Sequence, residues 1–336
     1  MRKVFITGTA GFIGFHLAQL LLDEGFRVHG FDGMTDYYDV ALKQKNHQVL
    51  LQHPNFTATE GMLENNELLS TVAADFKPDV IVHLAGQAGV RYSLENPRSY
   101  LESNIVGTFN LMEVARQLDV AHILMASTSS VYGSNEEMPF VETEKADTPL
   151  TFYAATKKAN EAMAHSYAHL WNLPTTMFRF FTVYGPNGRP DLAPFKFVDA
   201  ILDGRPIDIY NHGDMHRDFT YVTDLVRGIR LLIDTPPVRP DNREVLEGDS
   251  LSPVAPYRIV NIGNSDKVRL LDFVEAIEEE LGQKAIRNYM PMQMGDVPAT
   301  WANAELLKTL TGYKPQTDIK DGIREFVAWF RDYYAK

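Results

Sequence analysis

Residues 3–14 read KVFITGTAGFIG. A short apolar run, Lys3–Ile6, leads straight into glycines at 8, 11 and 14, and an amphipathic pattern follows over His16–Asp23 with Leu17, Leu20 and Leu21 on one face. A strand that turns into a helix through glycines at this spacing admits few folds. Gly8 permits the tight turn out of the strand, Gly11 lets backbone approach a pyrophosphate, and Gly14 lets the helix pack closely on the strand. The helix N-terminus, with Phe12 and Ile13 in its first turn, offers free N–H groups and partial positive charge to phosphate. A Gly-rich turn by itself is also a plain structural elbow. Here the context is that of a dinucleotide cradle, because the next apolar run, Arg27–Phe31, ends on an acidic residue, Asp32. A carboxylate there accepts from ribose hydroxyls and repels a 2′-phosphate. Gly33, Met34 and Thr35 follow it, with no arginine, so NAD is expected rather than NADP.

The rhythm of the first half supports this reading. Val80–His83, His122–Ala126 and Thr175–Arg179 are further short apolar runs with helical patterns between them. That alternation predicts βαβ units with right-handed crossovers. The expected fold is α/β: a Rossmann-type doubly wound parallel sheet with a smaller C-terminal α/β lobe. After about residue 180 the rhythm breaks. Phe219–Val222, Arg258–Ile262 and the amphipathic Leu270–Leu281 are separated by longer loops, and 236–256, rich in Pro, Asp, Glu and Ser, reads as a mobile surface loop. Ile319–Tyr334 reads as a helix with Ile323, Phe326, Phe330 and Tyr334 along one side. The expected division is 1–180 for the nucleotide domain, with later returns of the chain, and 181–336 mainly for a substrate lobe.

Composition narrows the partners. A net charge of −12 over 336 residues argues against nucleic acid as the main ligand. There are no cysteines, hence no disulfide, thiolate nucleophile or Cys-based metal site. No apolar run approaches the roughly 20 residues of a membrane span. An apolar strand from Lys3 leaves no room for a signal peptide, so a cytoplasmic protein is expected. The ten histidines are scattered and no His/Asp/Glu grouping has metal-ligand spacing, so no metal is expected.

The chemistry-bearing residues lie near the middle. Of 15 tyrosines only Tyr153 has a lysine four residues on, Lys157. In a helix the two share a face. A phenol normally titrates near ~10, and a nearby ammonium and a positive nicotinamide ring both favour phenolate. Tyr153 is thus a candidate base, and Lys157 a candidate contact for the nicotinamide ribose. Ala126–Gly133 (ASTSSVYG) opens at the carboxyl end of a predicted strand, where ligands bind in such folds. Its hydroxyls, Thr128, Ser129 and Ser130 among them, suit a substrate alcohol; the alternative is a Ser/Thr-rich turn that caps a helix. Leu84-Ala85-Gly86-Gln87-Ala88-Gly89 follows another strand, and its small residues let backbone pass under a cofactor, with Leu84, Ala85 and Gln87 as candidate contacts; a simple turn is the competing reading.

These segments together resemble the extended short-chain dehydrogenase/reductase family and, within it, the UDP-glucuronate 4-epimerases. The resemblance is carried by Ala88–Pro97 (AGVRYSLENP), Tyr153–Ala164 (YAATKKANEAMA), Arg179–Asp191 (RFFTVYGPNGRPD), Arg217–Val222 (RDFTYV), Ala255–Arg258 (APYR) and Gly295–Thr300 (GDVPAT), in family order through almost the whole chain. It implies that Tyr153 takes the proton of the sugar 4-hydroxyl while bound NAD takes hydride from C4, with Thr128 sharing the hydrogen bond to O4. The 4-keto sugar then turns over and accepts hydride on its other face. Such an intermediate is a β-keto acid prone to lose CO₂, and Ser129, Ser130 and Thr182 are implied as the groups that hold its carboxylate. Arg91 is implied as a further substrate contact. Arg189 is placed at the diphosphate or the carboxylate, the nucleotide being favoured, with Arg217 and Asp296 also on the UDP side. For Arg217 and Asp296 an ordinary surface ion pair is the alternative.

The chain departs from the family at four places. Met62 stands where an aspartate toward adenine is usual, Asn187 where a bulky aromatic is usual, Met294 replaces an expected proline and Asn303 an expected aspartate. Alternatives within the same chemistry are a UDP-glucose or UDP-N-acetylglucosamine 4-epimerase and a UDP-glucuronate decarboxylase. A 4,6-dehydratase needs an acid–base pair after the strand, where this chain has Thr128-Ser129-Ser130. A cofactor-binding regulator without catalysis is disfavoured by the intact Tyr153 and Lys157. Family members pair as homodimers through two helices, here expected at Pro97–Leu118 and Phe152–Trp171.

Overall fold

The computed structural model describes residues 1–336. Along the first half, strands and helices alternate: β1 (Lys3–Thr7), α1 (Phe12–Asp23), β2 (Arg27–Asp32), α2 (Val40–Leu51), β3 (Phe56–Glu60), α3 (Asn66–Phe76) and β4 (Val80–His83). Two short helices, α4 (Tyr92–Glu95) and α5 (Pro97–Tyr100), precede a π-helical stretch, Leu101–Gly107, and α6 (Thr108–Gln117). Then come β5 (His122–Ala126), α7 (Phe152–Trp171), β6 (Thr175–Phe180) and β7 (Thr182–Tyr184). The second half holds α8 (Ala193–Leu202), β8 (Pro206–Ile209), β9 (His216–Arg217), β10 (Phe219–Tyr221), α9 (Val222–Leu232), β11 (Tyr257–Ile262), β12 (Val268–Arg269), α10 (Leu270–Leu281), β13 (Ile286–Tyr289), β14 (Ala299–Thr300), α11 (Glu305–Thr311) and α12 (Ile319–Tyr334).

Seven strands form one sheet in the order β11-β6-β5-β4-β1-β2-β3, every neighbour parallel. Its central strands are unbroken apolar runs because both faces are covered. Alternate side chains go to opposite faces. Val4, Ile6, Val80 and Val82 pack with Leu17 and Leu21 of α1 and Leu225 and Ile229 of α9. Phe5, Ile81, Ile123 and Met125 pack with Leu69 of α3, Leu111 of α6 and Ala164 of α7. The sheet is the Rossmann-type α/β arrangement read from the sequence, and the order reverses between β1 and β4, which opens a crevice at their carboxyl ends. The chain returns to this body with α9 and β11. A separate apolar cluster unites Phe195 and Ile201 of α8, Phe273 and Ile277 of α10, and Phe326 and Phe330 of α12 over the small β8–β13 pair.

Two expectations need correction. Residues 97–118 are not one α-helix; the π-helical turns between α5 and α6 divide them. Residues 236–256 contain no helix or strand, but the last third is anchored rather than loose: Arg258 grips Asp249 through Nε at 2.9 Å, and His165 meets the buried Ser252 at 2.9 Å.

Candidate active site

The crevice widens into a single cleft of about 1120 Å³ between the sheet's carboxyl edge and the α8–α10–α12 cluster. Every site residue read from the sequence lines it except Lys157, which lies just beneath its floor.

One end is built by the glycine turn. Gly8 adopts φ +85°, and a Cβ there would stand 2.8 Å from the Ala85 nitrogen. A Cβ on Gly14 would lie 2.0 Å from the Gly8 carbonyl oxygen. The cradle therefore exists only without side chains at these positions. Gly11 caps α1 without a side-chain hydrogen bond, so N–H groups of the first turn remain available to an anion. These features fit the pyrophosphate of NAD. The Asp32 carboxylate already accepts from the backbone N–H of Ala10 and of Met34, both at 2.9 Å, and keeps further lone pairs for a ribose hydroxyl. Met62 lines the cleft beside it, with its sulfur occupying the space above Gly33.

The floor is the loop after β4. Gly86 takes φ +152°, where a Cβ would meet the Asn104 side-chain oxygen at 2.7 Å. Asn104 clamps this loop on both sides: Oδ1 accepts from the Gln87 N–H at 2.8 Å and Nδ2 donates to the Gln87 carbonyl at 3.0 Å.

At the centre, Thr151 caps α7 by accepting from the Ala154 N–H, which starts the helix one residue before Tyr153. Tyr153 and Lys157 then share a face. Lys157 is 5 % exposed, donates to the Ala126 carbonyl at 3.1 Å, and is pushed down to about 8 by burial. Enclosure raises the Tyr153 phenol, while the Thr128 hydroxyl and the charge of Arg189 pull it back. Thr128 and Arg189 thus favour the phenolate against that burial. Thr128 also does what the alternative reading proposed: its Oγ1 accepts from the Ser130 N–H at 3.2 Å and caps the turn Ser129–Tyr132.

Ser129, Ser130 and Thr182 line the same cleft. Arg189 forms a two-bond fork with Asp191, at 2.9 and 2.6 Å, and Tyr37 donates to the same carboxylate at 3.1 Å. Arg217 and Asp296 are not the ion pair considered from sequence. Asp296 pairs with Arg91 at 3.3 Å, whose guanidinium lies over Tyr210, while Arg217 donates to the carbonyls of His216, Val297 and Pro298.

Sequence reasoning missed Lys43, Asn104, Tyr37 and Asp191. Lys43 lines the cleft near Asp32, donates to Thr35 and lies 4.5 Å from the Tyr38 ring centre. Only the turn of α2 back toward β2 brings it there. Asn104 had one faint signal, a polar residue within an otherwise helical apolar face.

The family described as GDP-mannose 4,6 dehydratase matches residues 5–326. A probable UDP-glucuronate 4-epimerase of Rhizobium meliloti is 54% identical over 99% of this chain and 98% of its own length. A UDP-glucuronate 4-epimerase of Arabidopsis thaliana is 43% identical over 99% of this chain and 76% of its own. The crystal structure of UDP-glucuronic acid 4-epimerase from Bacillus cereus, in complex with UDP-glucuronic acid and NAD, superposes with a TM-score of 0.87 at 30% identity, covering 99% of this chain and 100% of that one. With a cleft that joins a dinucleotide cradle to Tyr153, and with a family match over nearly its whole length, the chain belongs to the GDP-mannose 4,6 dehydratase family of extended short-chain dehydrogenases/reductases.

Proposed function

We propose that this protein is an NAD-dependent 4-epimerase that interconverts UDP-glucuronate and UDP-galacturonate. The observation that carries the reading is the continuity of the cleft: it runs from Gly8 and Asp32, past Tyr153, to Arg217 and Asp296, and so holds a dinucleotide and a nucleotide sugar end to end with the phenol between them. The activity differs from the one in the family's name. A 4,6-elimination needs a carboxylate acid beside Tyr153, and Thr128-Ser129-Ser130 supplies only hydroxyls.

Gly8, Gly11 and Gly14 with the backbone of Phe12 and Ile13 hold the cofactor's pyrophosphate, Asp32 its adenosine ribose, and Leu84, Ala85 and Gln87 its underside. NAD, when bound, supplies a reversible hydride acceptor at the sugar C4. Tyr153 removes the proton from the 4-hydroxyl and later returns it to O4, and Thr128 hydrogen-bonds the same oxygen. Lys157 secures the Ala126 carbonyl and reaches toward the nicotinamide ribose. The ketone formed at C4 stands β to the uronate carboxyl. Ser129, Ser130 and Thr182 hold that carboxylate so that its C–C bond stays out of line with the ketone π system. Arg91, Arg189, Arg217 and Asp296 serve the UDP end. We further infer a cytoplasmic homodimer. No helix is long and apolar enough to cross a membrane, and Leu101, Val106 and Phe109 on one helical stretch and Phe152 and Trp171 on α7 expose apolar side chains.

The experiment is proton NMR of the purified protein with UDP-glucuronate and no added reductant, following the anomeric signals. Growth of a galacturonate signal to a plateau is expected. A xylose-type signal alone would make the chain a decarboxylase. Conversion of UDP-glucose with UDP-glucuronate untouched would keep the mechanism and overturn the substrate.

A further inference from the structure

The chemical face of α7 continues one turn beyond Lys157. Glu161 follows Lys157 by four residues and Tyr153 by eight, so all three side chains leave the same side of the helix. Each addresses the segment that leaves β5. Tyr153 stands beside Thr128, Lys157 holds the Ala126 carbonyl, and Glu161 Oε1 accepts from the Ser127 hydroxyl at 2.7 Å. The Glu161 side chain is 2% exposed and its partner Arg179, on β6, 1%. Arg179 donates through Nε to Oε1 at 2.9 Å and through Nη2 to Oε2 at 2.8 Å. Its guanidinium lies 4.5 Å from the Tyr132 ring centre, and Tyr132 closes the turn that Thr128 caps. Tyr132 in turn donates to Asn261 on β11 at 2.8 Å. The buried pair therefore grips the Thr128 turn at both ends, at Ser127 before it and at Tyr132 after it. A buried ion pair is no better a stabiliser than apolar residues of the same volume. Its directional bonds, in contrast, fix a geometry that apolar packing leaves looser.

We propose that Glu161 is a positioning residue for the epimerisation: with Arg179 as its fixed counter-charge, it sets where the Thr128 hydroxyl stands relative to Tyr153. The inference rests on the reading of Tyr153 and Thr128 as the pair that handles the 4-hydroxyl proton.

The test is a set of double-mutant cycles on the NAD-loaded enzyme. Ser127→Ala, Glu161→Gln and Thr128→Val are made singly, and the first two are each combined with Thr128→Val. NAD content, kcat and KM for UDP-glucuronate are measured, with NMR followed for hours where turnover is slow. Ser127→Ala and Glu161→Gln are each expected to lower kcat by about 10- to 100-fold, the scale of a small misplacement of a reacting group, with KM and NAD content little changed. In the Thr128→Val background neither should lower kcat further, because the hydroxyl they position is gone. Equal factors in both backgrounds would overturn the proposal, as would an unchanged kcat for Ser127→Ala. Ser127→Ala leaves the ion pair intact, so the cycle stands even if Glu161→Gln fails to fold. Tyr153→Phe is run beside them: wild-type turnover there would overturn the underlying assignment of the base, a result separate from either outcome of the cycles.

Discussion

Lys157 shows at residue scale how function is set against stability. Its ammonium is buried, makes one hydrogen bond, to a backbone carbonyl, and is pushed down to about 8 by desolvation. The folded state thus binds that proton less tightly than the unfolded chain does. Between about pH 8 and the unfolded value near 10.4 the unfolded chain carries the extra proton, so this residue's contribution to stability improves as pH rises through that window. Below it the full penalty is present, about 3 kcal/mol for a shift of this size. Lys157→Met, in protein stripped of nucleotide, is expected to unfold with a free energy higher by about that amount at pH 7. The gap to wild type should close as the pH approaches 10, while turnover is lost throughout. Denaturant unfolding of both proteins at pH 7 and pH 10 checks it; a variant less stable at pH 7 would show that the hydrogen bond outweighs desolvation. Glu161 has the opposite character. Its carboxyl is held below the ordinary value against the burial that would raise it, because Arg179 and Ser127 satisfy both oxygens. Removing its charge strands a buried guanidinium, so Glu161→Gln should cost about 3–5 kcal/mol by the same denaturant measurement.

At the scale of elements, the turn from β1 into α1 is the most tightly specified part of the chain. Gly14 takes ordinary helical backbone, so space rather than conformation makes it glycine: its Cβ would overlap the Gly8 carbonyl oxygen at 2.0 Å. That neighbour is backbone and cannot rotate away. Gly14→Ala is expected to move α1 off β1, costing about 1–3 kcal/mol as an overpacked core does, and to release NAD on purification. Calorimetric melting and the nucleotide content of the purified protein measure the two effects, and a variant that keeps both at wild-type values would refute the space argument. The π-helical stretch Leu101–Gly107 is the second specified element. The one-residue surplus of a π turn aims Asn104 at the Gln87 backbone and, through Nδ2, at Thr156 of α7 at 3.1 Å. It couples the cofactor floor to the helix that carries Tyr153.

At the scale of the molecule, apolar side chains stand exposed along 101–109 and at the ends of α7: Phe109 is 46% exposed, and Trp171 is 46% exposed although it packs on Tyr167 and Arg116. A single exposed apolar residue needs no explanation, but several on neighbouring helical stretches suit a covered surface. Phe109→Asp is expected to convert the proposed homodimer to a folded monomer, read by size exclusion with light scattering. A wild-type protein that already runs as a monomer would remove the dimer from the proposal.

How much of this was legible in the sequence follows from the range of the forces involved. The glycine spacing, the apolar runs of β1, β4 and β5, the Tyr153–Lys157 pair and the hydroxyl run after Ala126 are local patterns, each set by backbone geometry within a few residues, and they determined the α/β fold and the candidate site. What lies within hydrogen-bond reach across the chain was decided only by the tertiary structure. Lys43 comes near Asp32 because α2 folds back, Asp296 meets Arg91 from the segment after β4 rather than Arg217, and Asn104 meets Gln87 from the π-helical stretch. Burial was likewise invisible in sequence. Desolvation, not neighbouring charge, dominates the titration of Tyr153 and Lys157, and a residue's distance from water exists only once the chain has folded around it.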